Sequence, residues 1–140
     1  MKNEIKTSWK GKMLFKAETI GGSLLIDTAE DSGGQGLGVR PKALMLTALA
    51  GCTGMDIVSL FKKMRVEVDD IDIDVEADLT EEHPKYYDKV KVIYRFYGKH
   101  LDRDKIEKAV TLSQEKYCGV SEMFRKFSAL THEIHYLEKK

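Results

Sequence analysis

Two cysteines are the residues of this chain best suited to do chemistry. Cys52 lies in the most apolar stretch, Ala43-Leu-Met-Leu-Thr-Ala-Leu-Ala-Gly-Cys52-Thr-Gly-Met-Asp-Ile-Val-Ser-Leu-Phe61. Cys118 lies far downstream, in Lys116-Tyr-Cys-Gly-Val-Ser121. A thiol is a nucleophile only when it is partly ionised and reachable. Free cysteine is also among the most buried residue types, so two inert core residues are the competing reading. Cys52 falls well inside the helix that Pro41 would start, too far from that helix's N-terminus to feel its dipole. A reactive Cys52 therefore needs a fixed cation. Arg40, the only arginine before Arg65, sits just ahead of the helix, Lys42 sits on its first turn, and Asp56 can orient such a cation. On the residues alone both readings stay open.

Other constellations carry less. The histidines are His83, His100, His132 and His135, and His132-Glu-Ile-His135 is not the His-Glu-x-x-His zinc pattern. No spacing favours a metal, and none is expected. Asp70-x-Asp72-x-Asp74 has the ligand spacing of a calcium loop, with Glu81 at its twelfth position. But the sixth position, which must be glycine for the sharp turn, is Val75, and the alternating isoleucines read as a strand. Gly34-Gln-Gly36-Leu-Gly38 precedes a helix but has neither phosphate-loop spacing, so a flexible lid is expected. There is no Gly-x-Ser-x-Gly elbow.

The elements that must position the thiols follow from periodicity. Residues 2–28 alternate loosely around turn signals at Gly11 and Gly21-Gly22, predicting two or three short antiparallel strands. Residues 29–38 carry four glycines within six positions, which argues against helix or strand there. Pro41 suits a helix's first turn, and the helix is expected to run to about Met64. Gly51 and Gly54 flank Cys52 inside it, which suggests close packing against that turn. Ile71, Ile73, Val75, Ala77 and Leu79 alternate with acids, and Val90, Val92, Tyr94 and Phe96 alternate with Lys89, Lys91 and Arg95. These predict a hairpin whose outer faces carry opposite charges. Asp102 is a candidate N-cap for a helix burying Ile106, Ala109, Val110, Ser113 and Tyr117. A short helix through Phe124 and a last strand over 129–137 complete the order β-β-β-α-β-β-α-α-β. The expected class is α+β, with antiparallel sheets and a long central apolar helix carrying Cys52.

Composition bounds the rest. A chain of 140 residues, 42% hydrophobic and 33% charged, predicts one globular domain over 1–140. Its 23 basic and 23 acidic side chains balance, so no electrostatic case exists for nucleic acid or an anionic membrane. Two cysteines are too few for a disulfide-stapled secreted scaffold. The N-terminus shows no signal-peptide h-region, and a cytoplasmic location is expected. The 19 residues from Ala43 to Phe61 are long enough to span a bilayer, but Asp56 near their middle costs roughly 3 kcal/mol there. A helix covered by protein on most sides is the preferred reading. One sheet covers only one face, so a twofold partner is expected to supply the rest.

The segment Arg40-Pro-Lys-Ala-Leu-Met-Leu-Thr-Ala-Leu-Ala-Gly-Cys-Thr-Gly-Met-Asp56 resembles the OsmC/Ohr family of osmotically inducible and organic hydroperoxide resistance proteins. Glu115-Lys-Tyr-Cys118-Gly-Val-Ser121 resembles the family's Cys-x-x-Ser segment. The resemblance implies an OsmC-like intertwined homodimer with sites at the subunit interface. It also implies a thiol-dependent peroxidase acting on organic hydroperoxides or hydrogen peroxide in the oxidative stress response. Cys52 would become the sulfenic acid, Cys118 would resolve it as a disulfide, and a lipoyl-type or other dithiol would reset the pair. No cofactor is implied. Well-studied members hold a catalytic arginine from the N-terminal strands with a glutamate just after the helix proline. Here that position is Lys42, and the N-terminal strands carry Lys6, Lys10, Lys12 and Lys16 but no arginine. The pattern resembles the branch with an Arg-Pro pair before the helix. Arg40 then becomes the candidate catalytic cation, with Lys42, Asp56 and Ser121 in support. The alternative is a non-catalytic protein binding a small hydrophobic or anionic ligand at the dimer interface.

Overall fold

The computed structural model describes residues 1–140, which fall into two compact units, Met1–Met45 and Leu46–Lys140.

In the first unit, β1 (Lys6–Trp9), β2 (Phe15–Thr19) and β3 (Gly22–Ile26) form an antiparallel meander. Three strands are the upper end of the expected number. Gly21, with φ 89°, makes the turn between β2 and β3, a backbone conformation that favours glycine. The glycine-rich segment is not a free lid. Asp27 is almost fully buried, and its carboxylate accepts hydrogen bonds from the Thr28, Gln35 and Leu37 amides at 2.8, 3.1 and 3.1 Å. Burial works against its charge, but those N–H groups and the nearby Arg40 charge hold its pKa below the ordinary carboxylate value. Gly34 lies so close to the Thr28 carbonyl that a Cβ would stand 2.1 Å from its oxygen. Gly38 likewise approaches the Leu25 backbone closely, and Gly33 and Gly36 turn the chain at positive φ, so the glycines serve a wrapped loop rather than looseness. Val39 then pairs beside β3, its N–H donating to Leu25 O at 3.0 Å.

The long helix α1 spans Leu44–Met64. It starts slightly later than Pro41 because residues 41–45 form a tight turn, with Leu44 N–H bonding Pro41 O and Met45 N–H bonding Lys42 O. Arg65 at φ 58° ends it, and Val66 N–H returns to Phe61 O.

The second unit holds β4 (Asp70–Leu79), β5 (Tyr87–Tyr97), α2 (Arg103–Leu112), α3 (Gly119–Phe127) and β6 (Ala129–Leu137). β4 and β5 form the expected antiparallel hairpin, pairing Ile71 with Phe96, Ile73 with Tyr94 and Val75 with Val92 on one face. β6 joins β5 in parallel, giving a three-stranded order β4-β5-β6. The α2–α3 crossover explains that direction, because a parallel neighbour needs a long connection. Val92, Tyr94 and Phe96 of the central strand are fully buried. They share a core with Leu49, Ile57 and Phe61 of α1, Ile106, Ala109 and Val110 of α2, and Phe124 of α3.

The outer face is charged as expected, with one change of partner. Arg95 pairs with Asp74, and Lys140 reaches Asp70 and Asp72, so the acidic run is a solvated, ion-paired strand face. Lys91 turns to Glu133 of β6 at 2.9 Å instead of to an acid on β4. Asp102 caps α2 by accepting the Lys105 amide at 3.2 Å.

α1 is less covered than expected. Its buried stripe is Leu49, Thr53, Ile57 and Phe61, while Met55 is 77% and Val58 59% exposed. It is long and apolar enough to cross a membrane by length and composition, yet its buried stripe belongs to the core of the sheet and the other helices. Gly54 packs closely, since a Cβ there would meet Ile73 Cδ1 at 3.2 Å, but Gly51 faces open space.

Candidate functional site

Cys52 and Asp56 are one helical turn apart on α1, so their side chains share a face. Cys118 is delivered by a change of helical pitch. α2 passes into a π turn over Ser113–Tyr117, closed by Cys118 N–H donating to Ser113 O at 2.7 Å. This wide turn inserts one extra residue. Ser113 is buried as expected, but Tyr117 is half-exposed, because the position one α-turn beyond Ser113 is displaced and Cys118 takes the inward place. Cys118 is itself extended (φ −77°, ψ 102°) and caps α3.

The Sγ atoms of Cys52 and Cys118 and a carboxylate oxygen of Asp56 all lie within 4.8 Å of one another. Cys118 is buried and Cys52 half-buried, and both are reduced. The first turn of α3 addresses both sulfurs. Ser121 N–H donates to Cys118 Sγ at 3.3 Å, and the Val120 N–H favours the ionised form of Cys52. The helix α1 cannot help Cys52 from its own distant N-terminus, but α3 brings a second N-terminus to it.

Behind the thiols runs a buried chain of hydroxyls. Ser113 Oγ donates to Asp56 Oδ2 at 2.9 Å, Thr53 Oγ1 lies 2.7 Å from Ser113 Oγ and 2.6 Å from Tyr94 OH, and Gln114 Nε2 donates to Tyr94 OH. A carboxylate only accepts, and a side-chain amide nitrogen only donates. The direction is therefore set at both ends. Gln114 donates to Tyr94, Tyr94 to Thr53, Thr53 to Ser113, and Ser113 to Asp56. Burial raises the Tyr94 pKa, which keeps its proton available for this chain. Arg125 on α3 closes the back of the site by donating to the Gln114 carbonyl and to Glu122.

The electrostatics oppose a free thiolate. Burial is the largest cause raising the Cys52 pKa above the ordinary thiol value; Cys118 and the Asp56 charge add to it, and the Val120 N–H offsets part of it. Asp56 takes its hydrogen bond from Ser113 rather than from a cation. Arg40 and Lys42 belong to the first unit; Arg40 is exposed and donates to Gly38 O at 3.0 Å. The Ser121 hydroxyl is buried without a hydrogen-bond partner. So the fold gathers Cys52, Cys118 and Asp56, with the Ser121 amide on the second sulfur.

The chain's relatives share this architecture. The model of the family described as OsmC-like protein matches residues 33–133, which include both cysteines. The chain belongs to the OsmC-like family. Protein YhfA of Escherichia coli is 27% identical over 129 residues, covering 92% of this chain and 94% of that protein. A hypothetical protein from Aquifex aeolicus has a closely similar structure, with a TM-score of 0.81 at 29% identity over 97% of this chain and 98% of its own. The organic hydroperoxide resistance protein OhrB of Bacillus subtilis shares the fold at 20% identity, with a TM-score of 0.67, covering 96% of this chain and 98% of its own.

Sequence reasoning missed Thr53, Tyr94, Ser113 and Gln114 as a unit. The available signal was polar groups on buried faces, which require partners. Two outcomes follow. Thr53→Val keeps the shape but removes the link between Tyr94 and Ser113, and is expected to cost about 1–3 kcal/mol in urea denaturation; an unchanged midpoint contradicts the chain. Asp56→Asn removes a negative neighbour of Cys52, so the pH profile of Cys52 alkylation is expected to move to lower pH. A profile that stays or rises contradicts the electrostatic account.

Proposed function

We propose that this protein is a thiol-dependent peroxidase acting on organic hydroperoxides or hydrogen peroxide in a cytoplasmic oxidative stress response. The observation that carries the proposal is the approach of the two sulfurs in a chain of the OsmC-like family. Cys52 is the more reachable thiol and attacks the outer peroxide oxygen. The O–O bond breaks, the alcohol or water leaves with a proton, and Cys52 becomes a sulfenic acid. Cys118 then attacks the Cys52 sulfur, water leaves, and the disulfide forms. A small dithiol reduces it. The Val120 N–H of α3 supports the ionised form of Cys52. Arg40, with Lys42 beside it, is the proposed source of the positive charge that a raised Cys52 pKa demands. The whole chain is proposed to act as one functional domain.

Cys52→Ser is expected to abolish peroxide consumption. Cys118→Ser is expected to allow a single turnover and then accumulate over-oxidised Cys52. Peroxide consumption by Cys52→Ser at the wild-type rate would end this reading.

The proposed assembly is a homodimer. Gly51, Gly54, Met55 and Val58 of α1 line an apolar groove of 640 Å³ with Ile71 and Ile73 of β4. A second copy of α1 would bury this face, and Gly51, open in the single chain, would permit close approach. The same groove favours the second reading, a binding site for a small hydrophobic ligand. Sedimentation is expected to give a dimer for the wild type and a 15.9 kDa species for Gly51→Glu. A monomeric wild type would contradict the assembly.

A further inference from the structure

The cluster at Cys52, Asp56 and Cys118 has a property that peroxide chemistry does not use. Two sulfurs and a carboxylate oxygen converge within 4.8 Å of one another. Asp56 forms no ion pair; its hydrogen bond is to the Ser113 hydroxyl. A tetrahedral zinc centre has bonds of about 2.3 Å to sulfur and about 2.0–2.2 Å to oxygen, which spaces its ligand atoms a little under about 4 Å apart. The three donors are therefore close to that geometry before any ion arrives.

We propose that the reduced protein binds a thiophilic divalent cation of the zinc class through Cys52 Sγ, Cys118 Sγ and Asp56. Two thiolates and one carboxylate select a borderline-soft cation over calcium or magnesium. The surroundings have the form of a metal's outer shell. Ser113 fixes the Asp56 carboxylate and is itself fixed by Thr53, Tyr94 and Gln114. Ser121 and Val120 N–H groups address the two sulfurs. Three protein ligands leave a fourth position. A cavity of 240 Å³ reaches Asp56 and is also lined by Ser59, Leu60, Lys63 and Tyr117, enough room for a water or a small anion drawn by Lys63. The sequence showed no metal spacing because two ligands are adjacent on α1 and the third arrives only through the π turn.

The ion and the disulfide exclude each other, since both require the same two sulfurs. Metal binding is thus a reduced-state property, and it does not rest on the peroxidase reading.

The test is titration of reduced, full-length protein with Co²⁺, followed by displacement with Zn²⁺. Thiolate-to-cobalt charge-transfer absorption saturating at one ion per chain is expected, and Zn²⁺ is expected to bleach it. Ser113→Ala is expected to weaken binding about tenfold to a hundredfold. Asp56→Asn is expected to weaken it at least as much, and Cys118→Ser to remove most of the charge-transfer intensity. Circular dichroism checks that each variant is folded, and diamide-oxidised wild type, which needs no substitution, is expected to bind nothing. Absence of charge-transfer absorption in the reduced wild type, or wild-type affinity in Asp56→Asn, overturns the proposal. Peroxide-driven thiol loss measured in EDTA reports separately on the peroxidase reading.

Discussion

The N–H of Cys118 reaches back five residues to the Ser113 carbonyl, and the site depends on that one wide turn. An α-helical bond would leave Tyr117 in line with Ser113 and carry the second thiol away from the first. The π turn exchanges the two, places Cys118 as the cap of α3, and thereby presents the Ser121 amide to its sulfur. It also holds Ser113 and Gln114 side by side in the buried interior, where they flank the Thr53 and Tyr94 hydroxyls of α1 and β5. A single extra residue in one helical turn thus sets both the thiol pair and its polar support.

The support has a definite polarity. Every donor in the chain from Gln114 to Ser113 points toward Asp56, so the network fixes the position of a carboxylate one turn from Cys52. Burial, with smaller contributions from Cys118 and the Asp56 charge, makes ionisation of Cys52 harder. An arrangement that concentrates two thiols and a carboxylate requires positive charge from somewhere. A fixed arginine would meet that need in catalysis, and a thiophilic cation would meet it in the resting reduced state. Oxidation of the two sulfurs would remove the metal's ligands.

Much of the fold was legible because one physical rule dominated each segment. In β4 and β5, strict alternation of isoleucine and valine with acids and lysines fixes which face is buried, and the hairpin register follows. Pro41 and the apolar run from Ala43 mark α1 closely enough for its extent to about Met64 to be read. The misses have equally local causes. Alternation is the same for either strand direction, so β6 gave no hint that it runs parallel to β5. The glycines of 33–38 look like flexibility in one dimension and prove in three to be close approach at Gly34 and Gly38 and positive-φ turns at Gly33 and Gly36. Ser113-Gln114-Glu115-Lys116 contains no glycine or proline to signal a change of pitch, so Tyr117 was placed inward. Cys52 and Asp56 were visible as a pair because they share α1. The hydroxyls behind them come from β5 and the end of α2, and only folding brings those together.

The central claim is that the π turn delivers Cys118 to Cys52 as a working partner. Peptide mapping by mass spectrometry after treating the reduced protein with equimolar cumene hydroperoxide tests it most directly. The account predicts an intrachain Cys52–Cys118 disulfide as the main product. Cys52 recovered as a sulfinic acid beside an unmodified Cys118, or in a disulfide between two chains, would contradict it.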